Sequence, residues 1–214
     1  NFAGGAVCNM EDGLILFDKI HDFISNSSAF VGGAIFNSSG TVILGDGANF
    51  VNNKADEFGG GIYNEEKGGI LLVAKTKDIL FDGNTANGIS NAIYDDGGEI
   101  YLNASSDASV IFNDRIVSKD NTSVLNINAE SPQSQQNGMI FSIDMPRTGK
   151  IVLNEDMSGY MGTVNLCGGR IQLGENGTLF GGNYNIKNYA VIDMINTTIQ
   201  EHNFNKLTAD YRFD

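Results

Sequence analysis

Three short motifs recur in one order through the first half of the chain, and a fixed internal period constrains the fold more than any other sequence signal. The first motif is Gly4-Gly5-Ala6-Val7-Cys8-Asn9. It returns as Gly32-Gly33-Ala34-Ile35-Phe36-Asn37 and Gly59-Gly60-Gly61-Ile62-Tyr63-Asn64, then in weaker form as Ser90-Asn91-Ala92-Ile93-Tyr94-Asp95. The second, Gly-x-aliphatic-x-apolar, begins at Gly13, Gly40, Gly69 and Gly98. The third is Phe-x-x-Asn, at Phe23-Asn26, Phe50-Asn53 and Phe81-Asn84; at Phe112 the Phe survives and the terminal Asn does not. Each period of 27 to 31 residues thus holds three short strands.

Strands of this length joined by turns suit one coil of a solenoid, because a single coil cannot bury its own apolar face and neighbours must supply the core. The expected fold is all-β, a right-handed parallel β-helix of three-strand rungs. Three inward columns follow: Val7, Ile35, Ile62 and Ile93; Ile15, Val42, Leu71 and Ile100; and Phe23, Phe50, Phe81 and Phe112. Asn9, Asn37, Asn64 and Asp95 share one register, and Asn26, Asn53 and Asn84 another. Stacked amides that satisfy the turn backbone are preferred over the alternative, a row of ligand-binding amides.

The spacing from Phe to the next inward aliphatic is constant at 12 (Phe23 to Ile35, Phe50 to Ile62, Phe81 to Ile93), whereas Gly to Phe grows from Gly13–Phe23 to Gly98–Phe112. Insertions therefore collect at one turn, represented by residues 74–78 and 103–107. A partner would meet this edge.

After about residue 115 the period fades. Thr122–Asn128 and Gly138–Asp144 read as strands, with an exposed polar loop near 129–137 between them. The Gly-x-aliphatic-x-Leu pattern returns at Gly149, Gly162 and Gly169, and Tyr189–Ile199 and Leu207–Phe213 alternate. Residues 1–214 read as one solenoid of roughly eight rungs, about 40 Å long at β spacing. Residues 1–115 are its regular part and 116–214 its less regular part. Asn1-Phe2-Ala3-Gly4-Gly5 opens mid-repeat and Tyr211–Asp214 stops without a cap, so the chain reads as a piece of something longer.

A net charge of −13 opposes binding to nucleic acid or anionic lipid, and no apolar run is long enough to insert in a membrane. Two cysteines, Cys8 and Cys167, fall several rungs apart and are expected as free thiols. His21, two residues before Phe23, reads as a partly buried core variant; with His202 it gives no zinc spacing or triad. No cofactor, metal or catalytic residue is assigned. The carboxylates that could converge at neighbouring turns are Asp56, Glu57, Glu65, Glu66, Asp95, Asp96 and Glu99. Six Asn-x-Ser/Thr sequons (Asn26, Asn37, Asn103, Asn121, Asn176, Asn196) are expected by chance in so Asn-rich a chain.

The paired motifs at Gly4–Val7, Gly32–Ile35, Phe23–Asn26, Phe50–Asn53 and Phe81–Asn84 resemble the passenger repeats of polymorphic outer-membrane autotransporters, known best from chlamydiae. Residues 151–164, ending in Gly168–Leu173, resemble the repeat common in autotransporter passengers. The departures are Gly61 in place of Ala, the degenerate fourth copy and the absence of a membrane barrel in this sequence. The resemblance implies secretion through the outer membrane to the cell surface, a β-helical stalk, and often adhesion. The first functional reading is therefore a non-enzymatic surface or adhesion module, meeting a host-cell receptor or glycan. The alternative is a β-helical polysaccharide lyase or hydrolase, which needs carboxylates placed together. A third is self-association, either through open solenoid ends or through outer aromatics such as Phe36, Tyr63 and Tyr94. For those aromatics, stacking for stability is the preferred reading.

Overall fold

A computed structural model describes residues 2–130, 134–136, 139–141, 145–187, 190–193 and 207–209, with 134–136, 139–141 and 207–209 described by backbone alone. Among the described residues there are strands and turns and no helix.

The chain winds into a parallel β-helix. Val7–Asn9 pairs with Ile35–Leu44, which pairs with Ile62–Ala74, which in turn pairs with both Ile93–Asp96 and Glu99–Ala104. The same sheet continues through Val124–Ile127, Thr163–Leu166 and Asn183–Ile186 to Leu207–Ala209. A second parallel sheet stacks Asp22–Ile24, Asn49–Val51, Ile79–Asp82, Ser109–Phe112, Lys150–Leu153, Arg170–Leu173 and Val191–Asp193.

The coils differ from three-strand rungs in two ways. In the second and third, the first two motifs merge into one long bent strand, Ile35–Leu44 and Ile62–Ala74. The first three also carry a fourth, two-residue ribbon: Ser27–Ser28, Lys54–Ala55 and Thr85–Ala86. Its inward residues, Ser28, Ala55 and Ala86, are small and buried. Asn87 and Gly88, both at positive φ (49° and 72°), then fold Ile89–Ser90 back antiparallel onto Thr85–Ala86. An Asn-Gly pair is the preferred two-residue hairpin turn because both positions tolerate φ > 0. This hairpin closes the fourth ribbon, so later coils are shorter. Ile93 pairs with Ile116, 23 residues on, and Thr163 with Asn183, 20 residues on. The period fades because the cross-section changes, not because the solenoid ends.

Two of the three inward columns stand where expected. Val7, Ile35, Ile62 and Ile93 are in register and Ile116 extends them. Phe23, Phe50, Phe81 and Phe112 stack with centroids 4.5, 4.6 and 4.8 Å apart. Each buried Phe contributes about 1.5–3 kcal/mol by leaving water, with about 0.5–1.5 kcal/mol more for each ring pair. The remaining column is Ile15, Val42, Ile70 and Ile100, not Leu71. The double glycine Gly68-Gly69 offers two alignments to Gly40. The structure pairs Gly40 with Gly68, after a register shift between Asn37 and Ser39. A slip of one residue exchanges the two faces of a strand, so Leu71 points outward beside Ile43 and Tyr101.

In the second half the three Gly-x-aliphatic-x-Leu copies divide between the sheets. Thr163–Leu166 continues the first sheet, while Lys150–Leu153 and Arg170–Leu173 stack on Ser109–Phe112, so that Leu153 and Leu173 extend the Phe column. Val124–Ile127 is a strand within the expected Thr122–Asn128. The expected loop near 129–137 instead contributes Ser134–Gln136 to an antiparallel pair with Met139–Phe141, a sheet separate from the solenoid's own.

Both amide rows form. Asn9, Asn37 and Asn64 each donate Nδ2 to the next residue's Oδ1 at 2.8 Å, ending on Asp95. Asn26 donates to Asn53 at 2.9 Å, Asn53 to Asn84 at 2.8 Å, and Asn84 to Asp114 at 2.7 Å. Taken alone, the Asn37 amide finds partners in either orientation. An ionised carboxylate only accepts, and Asn9 and Asn64 also donate to the Gly13 and Gly68 carbonyls, so the direction of the row is set. Asn37, Asn53, Asn64 and Asn84 have no solvent-exposed surface, which excludes a ligand-binding row. The glycines beside the row are part of it: a Cβ at Gly68 would stand 2.2 Å from Asn64 Oδ1.

Candidate functional site

The turn from the first sheet to the second is the edge where insertions were expected, and the fifth coil carries the largest one. The chain leaves the first sheet at Ile127 and joins the second at Lys150, whereas in the next coil Leu166 is followed by Arg170. The excursion stands on a built neck. Asn128, at φ 50°, turns the chain out of the strand and donates Nδ2 to the Gly149 and Gly168 carbonyls, both at 3.1 Å. Asn103, fully buried, donates Nδ2 to the carbonyls of Ala129 (2.7 Å) and Pro146 (3.0 Å), so one amide ties both stems. Arg147 and Glu130 close the base with an exposed ion pair at 2.8 Å.

The stems also explain a buried apolar strip on the outer face of the solenoid. Ile43, Leu71, Val73 and Tyr101 point away from the central core, yet they are buried in one cluster with Ala129 and Met145. Tyr101 donates to Glu99 Oε2 at 3.2 Å, and burial with the Glu99 charge pushes the phenol up to about 12.

The carboxylates singled out from the sequence divide. Glu65, Glu66, Asp96 and Glu99 line one open groove of about 980 Å³ with Lys67 and Lys119. Asp96 is engaged on both oxygens, by Lys119 Nζ at 2.7 Å and Tyr63 Oη at 2.8 Å. Glu65 accepts from Ser38 Oγ at 2.5 Å. Burial together with the Asp96 hydrogen bond raises the Tyr63 phenol well above its usual range. Asp56 and Glu57 do not join the groove; Asp56 sits 3.8 Å from Lys54, both exposed. Asp95 is buried at the end of the amide row. Among the described residues no three His, Cys, Asp or Glu side chains are placed to hold a metal.

His21 is half-buried, edge-on to Phe17 at 4.8 Å, in the register of Ala48 and Ile79 as expected; His202 lies outside the described residues. Cys8 and Cys167 are free. Phe36, Tyr63 and Tyr94 form an outer stack at 5.8 and 5.5 Å. Of the sequons, Asn37 and Asn103 are buried, and Asn196 lies outside the described residues.

Sequence reasoning missed the neck. Its signals were Asn128 directly after the strand and the Asn137-Gly138 pair, a hairpin dipeptide placed between the two strands that pair.

No curated protein and no solved structure matches the chain. One family does: residues 47–65 match the Chlamydia polymorphic membrane protein repeat, a family associated with the outer membrane and cell surface. The matched stretch runs from the turn before Phe50 to the strand holding Tyr63 and Asn64, all within the parallel stack. Over those residues, then, this β-helix is built on a chlamydial polymorphic membrane protein repeat.

Proposed function

We propose that this chain is part of the secreted passenger of an autotransporter-type surface protein, serving adhesion rather than catalysis. In this reading the β-helix is a stalk, and the excursion between Ile127 and Lys150 meets a host-cell receptor or glycan. The observation that carries it is the polymorphic membrane protein repeat at 47–65, lying in register within the stacked coils. The neck supports it, because a binding loop on a rigid scaffold is the usual division of labour in loop-borne recognition. The groove supports a non-catalytic role: Asp96 is engaged by Lys119 and Tyr63, and Glu65 by Ser38.

The test compares the chain with a version in which residues 131–144 are replaced by two glycines. Beads coated with each are applied to cultured epithelial cells, and soluble forms to a glycan array. The expected result is attachment by the first and its loss in the second, with the same β-type circular dichroism. Equal attachment, or polysaccharide cleavage by the chain, overturns the reading.

A further inference from the structure

Both amide rows end on a buried carboxylate in the fourth coil, but the two carboxylates are treated differently. Asp114 uses both oxygens: Oδ1 accepts from Gly83 N, and Oδ2 from the Asn84 backbone and side chain. Asp95 uses only Oδ1, which accepts from Asn64 Nδ2 at 2.8 Å and Gly98 N at 3.2 Å; its Oδ2 is buried without a partner. The Tyr160 hydroxyl, fully buried, faces Asp95 closely enough to feel its charge, yet it too completes no hydrogen bond. The coil between them places Ser118 in register with Asp95. Ser118 does not extend the row: its Oγ donates to the Asp120 carbonyl at 2.9 Å and accepts from Met161 N at 2.8 Å. Two orphaned buried polar atoms facing each other are costly, and a single proton between them would satisfy both.

We propose that Asp95 and Tyr160 form a proton-operated latch between the fourth coil and the turn two coils further on. With a proton from solvent on Oδ2, Asp95 donates to Tyr160 Oη and ties the coils together. Ionised, it leaves both atoms unpaired and the joint looser.

The surroundings fit this role. Burial pushes Asp95 up to about 6, against hydrogen bonds from Asn64, Ser123 and Gly98, and the nearby Asp96 charge adds to the rise. Burial and the Asp95 charge both raise the phenol, so it stays protonated throughout the range. The other charged group acting on Asp95 is Asp96, which Lys119 and Tyr63 already engage. A folded acid raised in this way binds a proton that the unfolded chain does not bind between 3.8 and about 6. Its contribution to stability therefore grows as pH falls through about 6 and is complete near the ordinary value.

The test follows the Asp95 carboxyl carbon by NMR across pH, and amide exchange of 93–96 and 158–161 at pH 5 and 7.5 after correction for intrinsic rates. In the unaltered chain, the midpoint should lie near 6 and exchange should be slower at pH 5. Tyr160→Phe should lower the midpoint by about half a unit or more, and Asp95→Asn should hold exchange slow at both pH values. A midpoint unmoved or raised by Tyr160→Phe overturns the latch. If that variant misfolds, exchange that still varies with pH in Asp95→Asn overturns it instead.

Discussion

Phe50 and Phe81 stack face to face, with centroids 4.6 Å apart and planes within 6° of parallel. Both are fully buried, and Phe23 and Phe112 continue the stack on either side. Phe50→Ala should therefore cost about 3–5 kcal/mol, while the exposed Asn49→Ala, which loses a hydrogen bond to Asp22, should cost under about 0.5 kcal/mol. Urea unfolding followed by circular dichroism measures both. Equal costs would show that the stack is not the core of the second sheet.

One substitution should act with opposite sign at the two ends of the amide rows. Asp95→Asn keeps an acceptor for Asn64 and gives the orphaned position a donor, so it should raise the melting temperature at pH 7.5. At Asp114 both oxygens already accept, and Asp114→Asn would set an amide donor against one of the donors now satisfied. It should lower stability by about 1–3 kcal/mol. Differential scanning calorimetry of the two variants decides this, and a shift of the same sign in both would contradict the hydrogen-bond assignment.

How far these features could be read in advance depended on spacing. The Phe column was legible because Phe is bulky and keeps a fixed distance to the next aliphatic. Leu71 was misplaced because Gly68 and Gly69 are interchangeable in a pattern, whereas only one of them can lie beside the Asn64 amide. Asp114 escaped notice because it stands two residues after Phe112, where Asn84 stands three after Phe81. The fourth ribbon was invisible because two residues cannot display an alternation. The neck could not be read because Asn103 acts on main-chain carbonyls 26 and 43 residues away.

The neck should depend on Asn103 and only weakly on the ion pair below it. Asn103→Ala leaves two carbonyls without their donor and should cost about 1–3 kcal/mol, with faster proteolytic cleavage between 130 and 147. Arg147→Ala removes an exposed pair and should cost under about 1 kcal/mol. Cleavage kinetics and melting temperature together separate the two. Faster cleavage in Arg147→Ala than in Asn103→Ala would reverse the assignment.

The two thiols should be distinguishable by reactivity. Cys8 is exposed, while Cys167 is half-buried and its thiol is raised by burial, which lowers the thiolate fraction that reacts. Titration with a chromogenic disulfide reagent at pH 8 should give one fast and one slow equivalent in the native protein, and two fast equivalents in denaturant. A single equivalent in denaturant would mean that a thiol is blocked.

The Asn87-Gly88 hairpin also makes the solenoid taper. Below it one circuit uses 27 to 31 residues, and above it as few as 20, while the rise per circuit stays near 4.8 Å. The same height is thus reached with about a quarter to a third less polypeptide. A tower meant to hold something away from a surface economises on material in this way, with a broad foot and a slender upper section from which the excursion at Asn103 projects.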